Sequence, residues 1–245
     1  MNPAVESISA FFPCFNDEPT IGSMVNLAFA TIEKVGAEGD VIVVNDGSTD
    51  RSAYVLKELA ETHPGLRVVT HEQNRGYGGA LLSGFASATE QWVFYTDGDA
   101  QFDPSELELL VQAAGDDVDV VQGYKIRRAD SLVRRVVGRV YHRFVAAAFG
   151  LTIRDTDCDF RLIRLEALQR VKLVHSSGVI CVELVRKLQD SGARFVEVPV
   201  HHYRRIHGQS EFFRPAQVVR SLADLAGLWV SLIVLGRGRP QRSRT

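Results

Sequence analysis

Trp92-Val93-Phe94-Tyr95-Thr96-Asp97-Gly98-Asp99-Ala100-Gln101 is an apolar, aromatic run that ends abruptly in two carboxylates one residue apart, with a carboxamide two positions further on. The run reads as a buried strand. At the carboxyl end of a parallel strand, the polar cluster faces the crevice where open α/β sheets bind ligands. Carboxylate and carboxamide oxygens suit a hard divalent cation, which substrate phosphates commonly complete. Gly98 lets a backbone approach closely. Two plainer readings compete. Asp97, Asp99, Gln101, Asp103 and Glu108 fall at positions one, three, five, seven and twelve of a calcium loop. Phe102, however, sits where the sharp turn needs glycine, and a strand rather than a helix leads in. Asp97 and Asp99 can also simply cap a turn before the helix that Pro104 opens. Context has to decide.

Working outward, strands and helices alternate. Ile8 to Phe12 reads as a strand, followed by a helix from about Thr20 to Val35. Val41-Ile42-Val43-Val44 is a continuous apolar strand, as expected when both faces are covered. Ser48-Thr49-Asp50 offers a cap for a helix through Leu56 and Leu59. A third strand, Leu66 to Val69, leads through Asn74-Arg75-Gly76-Tyr77-Gly78-Gly79 into a helix from about Ala80. The aspartate strand follows, then the Pro104 helix, then a strand from Val118 to Val121. This β-α-β-α order predicts an α/β fold with a mostly parallel sheet between helices. No internal repeat or low-complexity linker interrupts it.

Composition suits a substantial enzyme. The 245 residues are 45% hydrophobic and 24% charged, enough for one large domain, with or without an appendage. A net charge of -2 argues against general nucleic-acid binding. Cys14, Cys158 and Cys181 are far apart and form no CxxC pair, which disfavours a disulfide framework or zinc site and fits a reducing cytoplasm. Ile8 to Phe15 is too short for a secretory signal and carries no basic segment before it, so the expectation is a cytoplasmic chain.

The loops after the strands hold the chemistry. Asn45-Asp46-Gly47-Ser48 ends the second strand and opens a helix, so Asp46 points to the same crevice as Asp97. A short carboxylate there accepts hydrogen bonds from a nucleobase or ribose, and the helix N-terminus favours anions. A capping Asx turn explains the same residues equally well. Gly76-Tyr77-Gly78-Gly79 looks like a phosphate cradle, but it is neither GxGxxG nor a P-loop and is weak alone.

Together, Pro13-Cys14-Phe15-Asn16-Asp17-Glu18, Val44 to Asp50, Asn74 to Ala80 and Asp97 to Gln101 resemble the nucleotide-sugar half of family-2 inverting glycosyltransferases of the GT-A fold. The match covers roughly the first 125 residues. Asp155-Thr156-Asp157-Cys158-Asp159-Phe160-Arg161, Val196 to Val200 and Arg205-Ile206-His207-Gly208-Gln209-Ser210 are similar to the polyprenyl-phosphate branch, which includes dolichyl-phosphate mannose synthases. The resemblance implies a divalent cation, Mg2+ or Mn2+, on Asp97, Asp99 and Gln101. It implies nucleotide-sugar contacts at Pro13, Phe15, Asp17, Asp46, Arg75, Gly78 and Lys125, and acceptor-phosphate contacts at Arg134, Arg205 and Ser210. It divides the chain into a catalytic domain over 1–210, with a nucleotide-sugar half over 1–125 and an acceptor half over 126–210. An apolar helix and basic tail follow over 211–245.

Several positions depart from the family pattern. Its paired aspartates are Asn45-Asp46 here, so Asp46 inherits the nucleotide role. Its Asn-Glu is Asn16-Asp17 with Glu18 adjacent, which leaves the ribose or base contact open between them. Lys125 replaces an arginine, a point charge in place of a bidentate fork. The usual Ser-Gly-Phe-Arg is Cys158-Asp159-Phe160-Arg161. The final Ser-Lys is Ser210-Glu211, which removes a positive charge near the acceptor.

Lys125, Arg127, Arg128, Arg134, Arg135, Arg139 and Arg143 stand against only Asp130. The cluster reads either as a solvated helix face or as a set of partners for diphosphate, lipid phosphate or an anionic membrane. Ser221 to Leu235 is markedly apolar and is followed by Arg237, Arg239, Arg242 and Arg244. At 1.5 Å per residue it reaches roughly 22 Å, short of the bilayer core. It reads either as a helix in the interface of an anionic membrane or as one packed on the catalytic domain or a partner subunit.

The expected function is metal-dependent transfer, with inversion, of a sugar from a nucleotide-diphosphate sugar to a polyprenyl phosphate. The expected location is the cytoplasmic face of a membrane, peripherally bound, with homo-oligomerisation left open. Arg134, Arg205 and Lys125 would position the lipid phosphate, and Asp157 and Glu183 are candidate bases if the acceptor is a hydroxyl. His201, His202 and His207 could also contribute, although three histidines in a basic loop are more often surface or structural residues. The alternatives are a family-2 enzyme acting on a saccharide or other hydroxyl, and a silent nucleotide-sugar-binding scaffold.

Overall fold

The computed structural model describes residues 2, 4–128, 142–205 and 215–236. The elements run β1 (Ser7–Cys14), α1 (Ile21–Val35), β2 (Glu38–Asn45), α2 (Ser52–Thr62), β3 (Leu66–Thr70), α3 (Tyr77–Ser87) and β4 (Trp92–Thr96). A 3-10 turn over Pro104–Glu106 then leads into α4 (Leu107–Ala113) and β5 (Val120–Arg128). After α5, described over 142–149, come β6 (Phe160–Arg164), α6 (Leu165–Gln169), α7 (Ile180–Asp190), β7 (Phe195–His202) and α8 (Pro215–Trp229), the last continued by a π turn over Val230–Val234.

The strands form one seven-stranded sheet in the order β3-β2-β1-β4-β6-β5-β7. β1 pairs parallel with β2 and β4, β2 with β3, and β5 with β7. β6 pairs antiparallel with both β4 and β5 and is the reversed strand. The GT-A architecture expected from the sequence is therefore present. Its core follows from period-2 alternation on a sheet covered on both faces. Ile8, Ala10, Phe12, Val41, Val43 and Phe94 pack against α1, α2 and α4. Phe11, Ile42, Val44, Val93 and Tyr95 pack against α3, α6 and α7.

A third cluster lies outside α7. Val145 and Phe149 of α5 and Val179, Val182 and Val185 meet Leu225, Leu228 and Leu232 of the C-terminal helix. Trp229 Nε1 also donates to the Ala148 carbonyl at 2.9 Å. Of the two sequence readings of this segment, packing on the catalytic domain thus accounts for one face. Leu222, Trp229, Val230, Val234 and Leu235 remain exposed. Among the described residues, no helix is long and apolar enough to cross a membrane.

Three elements differ from the sequence expectation. α3 begins at Tyr77, not near Ala80, because its glycines form a helical first turn beneath another segment. A Cβ at Gly78 would lie 2.5 Å from the Ser176 carbonyl carbon and 2.7 Å from the Ser177 carbonyl oxygen. β5 runs on to Arg128 beyond the expected Val121, carried by parallel pairing with β7. Arg51, not Ser48 to Asp50, stands at the α2 cap, while the Asp50 side chain accepts from the Ser52 N–H at 2.9 Å.

Candidate active site

The crevice opens where β1, β2 and β4 end. Asp46 follows β2, and its N–H donates to the Cys14 carbonyl at 2.9 Å, extending the β1–β2 ladder. Asp97, Asp99 and Gln101 follow β4. Gly98 lies so close to β1 that a Cβ there would sit 2.8 Å from the Pro13 carbonyl oxygen and 3.4 Å from Asp17 Oδ2. The absent side chain is what joins the aspartate loop to the Pro13–Asp17 loop.

Asp17 holds the floor. Its Oδ2 accepts from the Phe15 N–H at 3.0 Å. Burial raises its carboxyl to about 6; the Phe15 hydrogen bond opposes the rise, and the Asp99 charge adds to it. Asn16 and Glu18, the neighbours of Asp17 in this loop, are engaged elsewhere. Asn16 Oδ1 accepts from the Thr49 N–H at 2.8 Å, and Glu18 Oε2 accepts from the Arg51 N–H at 3.3 Å. Both tie the first loop to the second, while Asp17 faces Gly98.

The acidic cluster brings Asp97, Asp99 and Asp159 close together. Asp97 Oδ1 accepts from the Tyr77 hydroxyl at 2.8 Å. Removal from water raises the Asp97 carboxyl well above its usual range, and the charges of Asp159 and Asp99 raise it further. The β4–β6 register explains the first of these neighbours. Thr96 pairs with Phe160, so one step beyond the ladder Asp97 faces Asp159. Asp159 is held in turn by Arg161, whose guanidinium donates to Asp159 Oδ1 at 2.9 Å and to the Thr156 carbonyl at 2.7 Å. Arg161 also bonds Tyr95 and Gln122, and is only 1% exposed.

Across the crevice, the chain leaving β7 brings Arg205 back to the aspartates. Its guanidinium donates to Asp99 Oδ2 at 2.5 Å, and its Nε donates to Gln101 Oε1 at 3.4 Å. Gln101 is further fixed by a two-way bond with Tyr203: the Tyr203 N–H donates to the Gln101 carbonyl at 2.8 Å, and Gln101 Nε2 donates to the Tyr203 carbonyl at 3.2 Å. Lys125 Nζ donates to the Asp157 carbonyl at 2.6 Å, and the Asp157 carboxylate is exposed at the rim. Arg75 is exposed, with its N–H donating to Asp46 Oδ1 at 2.8 Å.

Two expected site residues lie elsewhere. Glu183 is fully buried on α7 and does not reach the crevice. Its carboxylate accepts from Lys187 Nζ at 2.5 Å and from the Val174 and His175 N–H groups at 3.2 and 3.0 Å. Burial alone would raise its pKa, yet the Lys187 hydrogen bond and the His175 and Val174 N–H groups outweigh it and hold the carboxyl below its usual value. A carboxylate so engaged is a structural anchor and not a base. Gly78 is likewise covered by residues 175–177 and offers no open cradle. Arg134, Ser210 and His207 lie outside the described residues. His201 is bound to Glu106, its Nδ1 2.6 Å from Oε1, in keeping with a structural role.

The sequence reading missed His71, Tyr77 and Asp159. His71 immediately follows β3, where the rule that flagged Asp46 and Asp97 applies equally well. Tyr77 was read only as part of a glycine-rich loop. Asp159 was noted as a departure, and only the strand register reveals that it faces Asp97.

A divalent cation fits the donor set by its chemistry. Two carboxylates and a carboxamide are hard oxygen donors, and the burial that chiefly raises the Asp97 carboxyl, with the Asp159 and Asp99 charges adding to it, is a penalty on ionisation that a cation would offset. Among the described residues, no group of three or more His, Cys, Asp or Glu is gathered into a ready-made cage.

The glycosyl transferase family 2 model matches residues 9–172, more than half of the chain, and the chain belongs to that family. The undecaprenyl-phosphate 4-deoxy-4-formamido-L-arabinose transferase of Edwardsiella ictaluri (strain 93-146) is 30% identical over 210 residues, covering 85% of this chain and 63% of that protein. The protein of the same description from Enterobacter sp. (strain 638) is 28% identical over 211 residues, with the same coverage. This chain therefore spans 63% of the length of these curated relatives. Among solved structures, glucosyl-3-phosphoglycerate synthase from Mycobacterium tuberculosis, in complex with phosphoglyceric acid, superposes with a TM-score of 0.63 at 20% identity. The match covers 97% of this chain and 82% of that one. A mannosyltransferase from Pyrobaculum calidifontis, in complex with GDP-Man and Mn2+, gives 0.65 at 20% identity, covering 91% of this chain and 64% of that one. These two share the fold.

Proposed function

We propose that this chain transfers a sugar from a nucleotide-diphosphate donor to a polyprenyl phosphate, inverting the anomeric carbon. The observation that carries the reading is the bond at Asp99. A carboxylate of the donor-side strand is paired there with Arg205, which arrives from the opposite half of the chain. The descriptions of the curated relatives support a polyprenyl-phosphate acceptor.

Asp97, Asp99 and Gln101 would hold Mg2+ or Mn2+ together with the donor diphosphate, and the bound cation supplies counter-charge to the leaving group. The rest falls to the chain. Pro13, Phe15, Asp17 and Asp46 bind the nucleoside end, and Arg75 and Lys125 flank the phosphates. Arg205, with Arg134 and Ser210, orients the acceptor phosphate so that its oxygen attacks the anomeric carbon opposite the departing diphosphate. A phosphate monoester is already ionised near neutral pH, so the attack needs no strong base. We keep the division into a donor half over 1–125, an acceptor half over 126–210 and an apolar helix and basic tail over 211–245. The exposed apolar face of α8 supports peripheral attachment, which we place at the cytoplasmic leaflet.

One observation favours a second acceptor class. The Asp157 carboxylate is exposed at the rim beside Lys125, where it could take a proton from a hydroxyl acceptor. Incubating the protein with a panel of nucleotide sugars and polyprenyl phosphate, then extracting lipid, separates the two. A glycosylated lipid phosphate is the expected product. It should disappear in chelator, and it should fall by orders of magnitude in Asp99→Asn while the protein stays folded. Sugar appearing only on soluble hydroxyl acceptors would reject the lipid reading, and full turnover by Asp99→Asn would remove the cation from Asp99.

A further inference from the structure

His71 is a buried imidazole in a chain of three polar side chains drawn from three elements. It follows β3 directly, and its N–H donates to the Asn45 carbonyl at 2.9 Å, fixing its backbone to the end of β2. The ring is 4% exposed. Its Nδ1 lies 2.5 Å from Asp46 Oδ1, and its Nε2 lies 2.8 Å from Ser83 Oγ on α3. An ionised carboxylate can only accept, so Nδ1 carries the proton donated to Asp46. In the neutral ring Nε2 is then an acceptor, and the Ser83 hydroxyl donates to it. Asp46 Oδ1 also accepts from the Arg75 N–H at 2.8 Å. Both contacts fall on the same oxygen, which fixes the plane of the carboxylate and so the direction of its other oxygen. The Asn74–Gly76 turn is anchored to the same point.

We propose that His71 is a positioning residue for the nucleotide donor. It does not touch the ligand. Through its Nδ1–H it holds the Asp46 carboxylate correctly turned, and through Asp46 it sets the Arg75 turn against the crevice. Ser83 orients the ring from α3. Burial makes the arrangement stiff, because a buried donor or acceptor that loses its partner costs more than the bond itself contributes. The relay predicts that donor affinity depends on a hydrogen-bond donor at the Nδ1 position and not merely on a side chain that fills the space.

The proposal rests on the reading of Asp46 as a nucleotide contact, and the experiment keeps the two apart. Calorimetry with Mn2+ and whichever of UDP and GDP the unaltered protein binds more tightly gives the affinities. Steady-state kinetics gives donor KM and kcat. His71→Leu should weaken nucleotide binding and raise donor KM about tenfold or more, with kcat at saturating donor changing by less than about threefold. His71→Asn places an amide N–H near Nδ1 and should recover most of the loss. Ser83→Ala, which only frees the ring to turn, should give a smaller weakening in the same direction. Wild-type affinity in folded His71→Leu, or no advantage of Asn over Leu, would overturn the relay. Loss in Asp46→Ala without loss in His71→Leu also rejects His71 while leaving the Asp46 reading intact. Unchanged affinity in Asp46→Ala rejects that reading, and the proposal with it.

Discussion

Single side chains in this chain take roles that their types alone do not announce. Glu183 is the clearest case. Its depressed carboxyl pKa means that the ionised form is favoured in the folded state. The stability it contributes is therefore fully present above the ordinary value near 4.5 and is lost as pH falls through the lower folded value. Glu183→Gln should cost about 2–4 kcal/mol at pH 7, since it leaves Lys187 buried without its counter-ion. The gap in thermal midpoint between variant and parent should narrow as pH drops below 4.5. A gap independent of pH would mean that ionisation of Glu183 is not what stabilises α7. At Asp99 the reverse logic holds. Arg205 occupies the carboxylate that the cation would share. Arg205→Ala should thus tighten Mn2+ binding in the absence of substrates by about tenfold, comparable to one charge-assisted hydrogen bond of about 1.5 kcal/mol. Manganese titration followed by electron paramagnetic resonance reads this directly, and an unchanged affinity would place the cation away from Asp99.

At the scale of elements, glycine-rich α3 shows how sequence and structure divide the work. Intrinsic propensity favours alanine over glycine in a helix by about 1 kcal/mol. At Gly78 the backbone of Ser176 and Ser177 leaves no room for a methyl group, and overpacking of this kind costs about 1–3 kcal/mol. Gly78→Ala should therefore shift the urea midpoint downward at constant m-value. An upward shift would show that the 175–177 segment does not seat on α3. The apolar runs of β1, β2 and β4 were legible because hydrophobic residues fill both faces of a covered sheet, and half-exposed β3 at the sheet edge was legible from Leu66, Val68 and Val69. β6 was not, because Arg161 interrupts Phe160-Arg161-Leu162-Ile163 with a charge that reads as surface and is in fact core. Its hydrogen-bond partners, the counter-ion Asp159 and the neutral Tyr95 and Gln122, come from three places in the chain. For the same reason the Asp97–Asp99–Gln101 cluster was visible in the sequence as a local pattern. The His71–Asp46 pair was not, because it depends on which residue the fold brings alongside; Glu183 and Lys187 are a local i,i+4 pair on α7, and only their burial was hidden.

For the whole molecule, the C-terminal helix carries buried leucines and exposed apolar side chains, which can be tested apart. Leu225, Leu228 and Leu232 belong to the cluster with α5 and α7, so cutting the helix away would expose Val145, Phe149 and Val182. Truncation would then confound detachment from a membrane with loss of the fold. Paired point changes separate them. Leu228→Ala empties a buried site and should cost about 2–5 kcal/mol, seen as a lower denaturant midpoint. Leu222→Glu combined with Val230→Glu places charge on the exposed face and should leave that midpoint nearly unchanged. The same double variant should lose flotation with anionic liposomes, because an interfacial helix binds through its buried apolar area as well as through basic residues near the surface. High salt should weaken, and not abolish, flotation of the parent protein, since screening acts only on the charged component. If the double variant floats as well as the parent, the exposed stripe is not the membrane contact. If it unfolds, the stripe is part of the core or of a contact between copies on which the core depends.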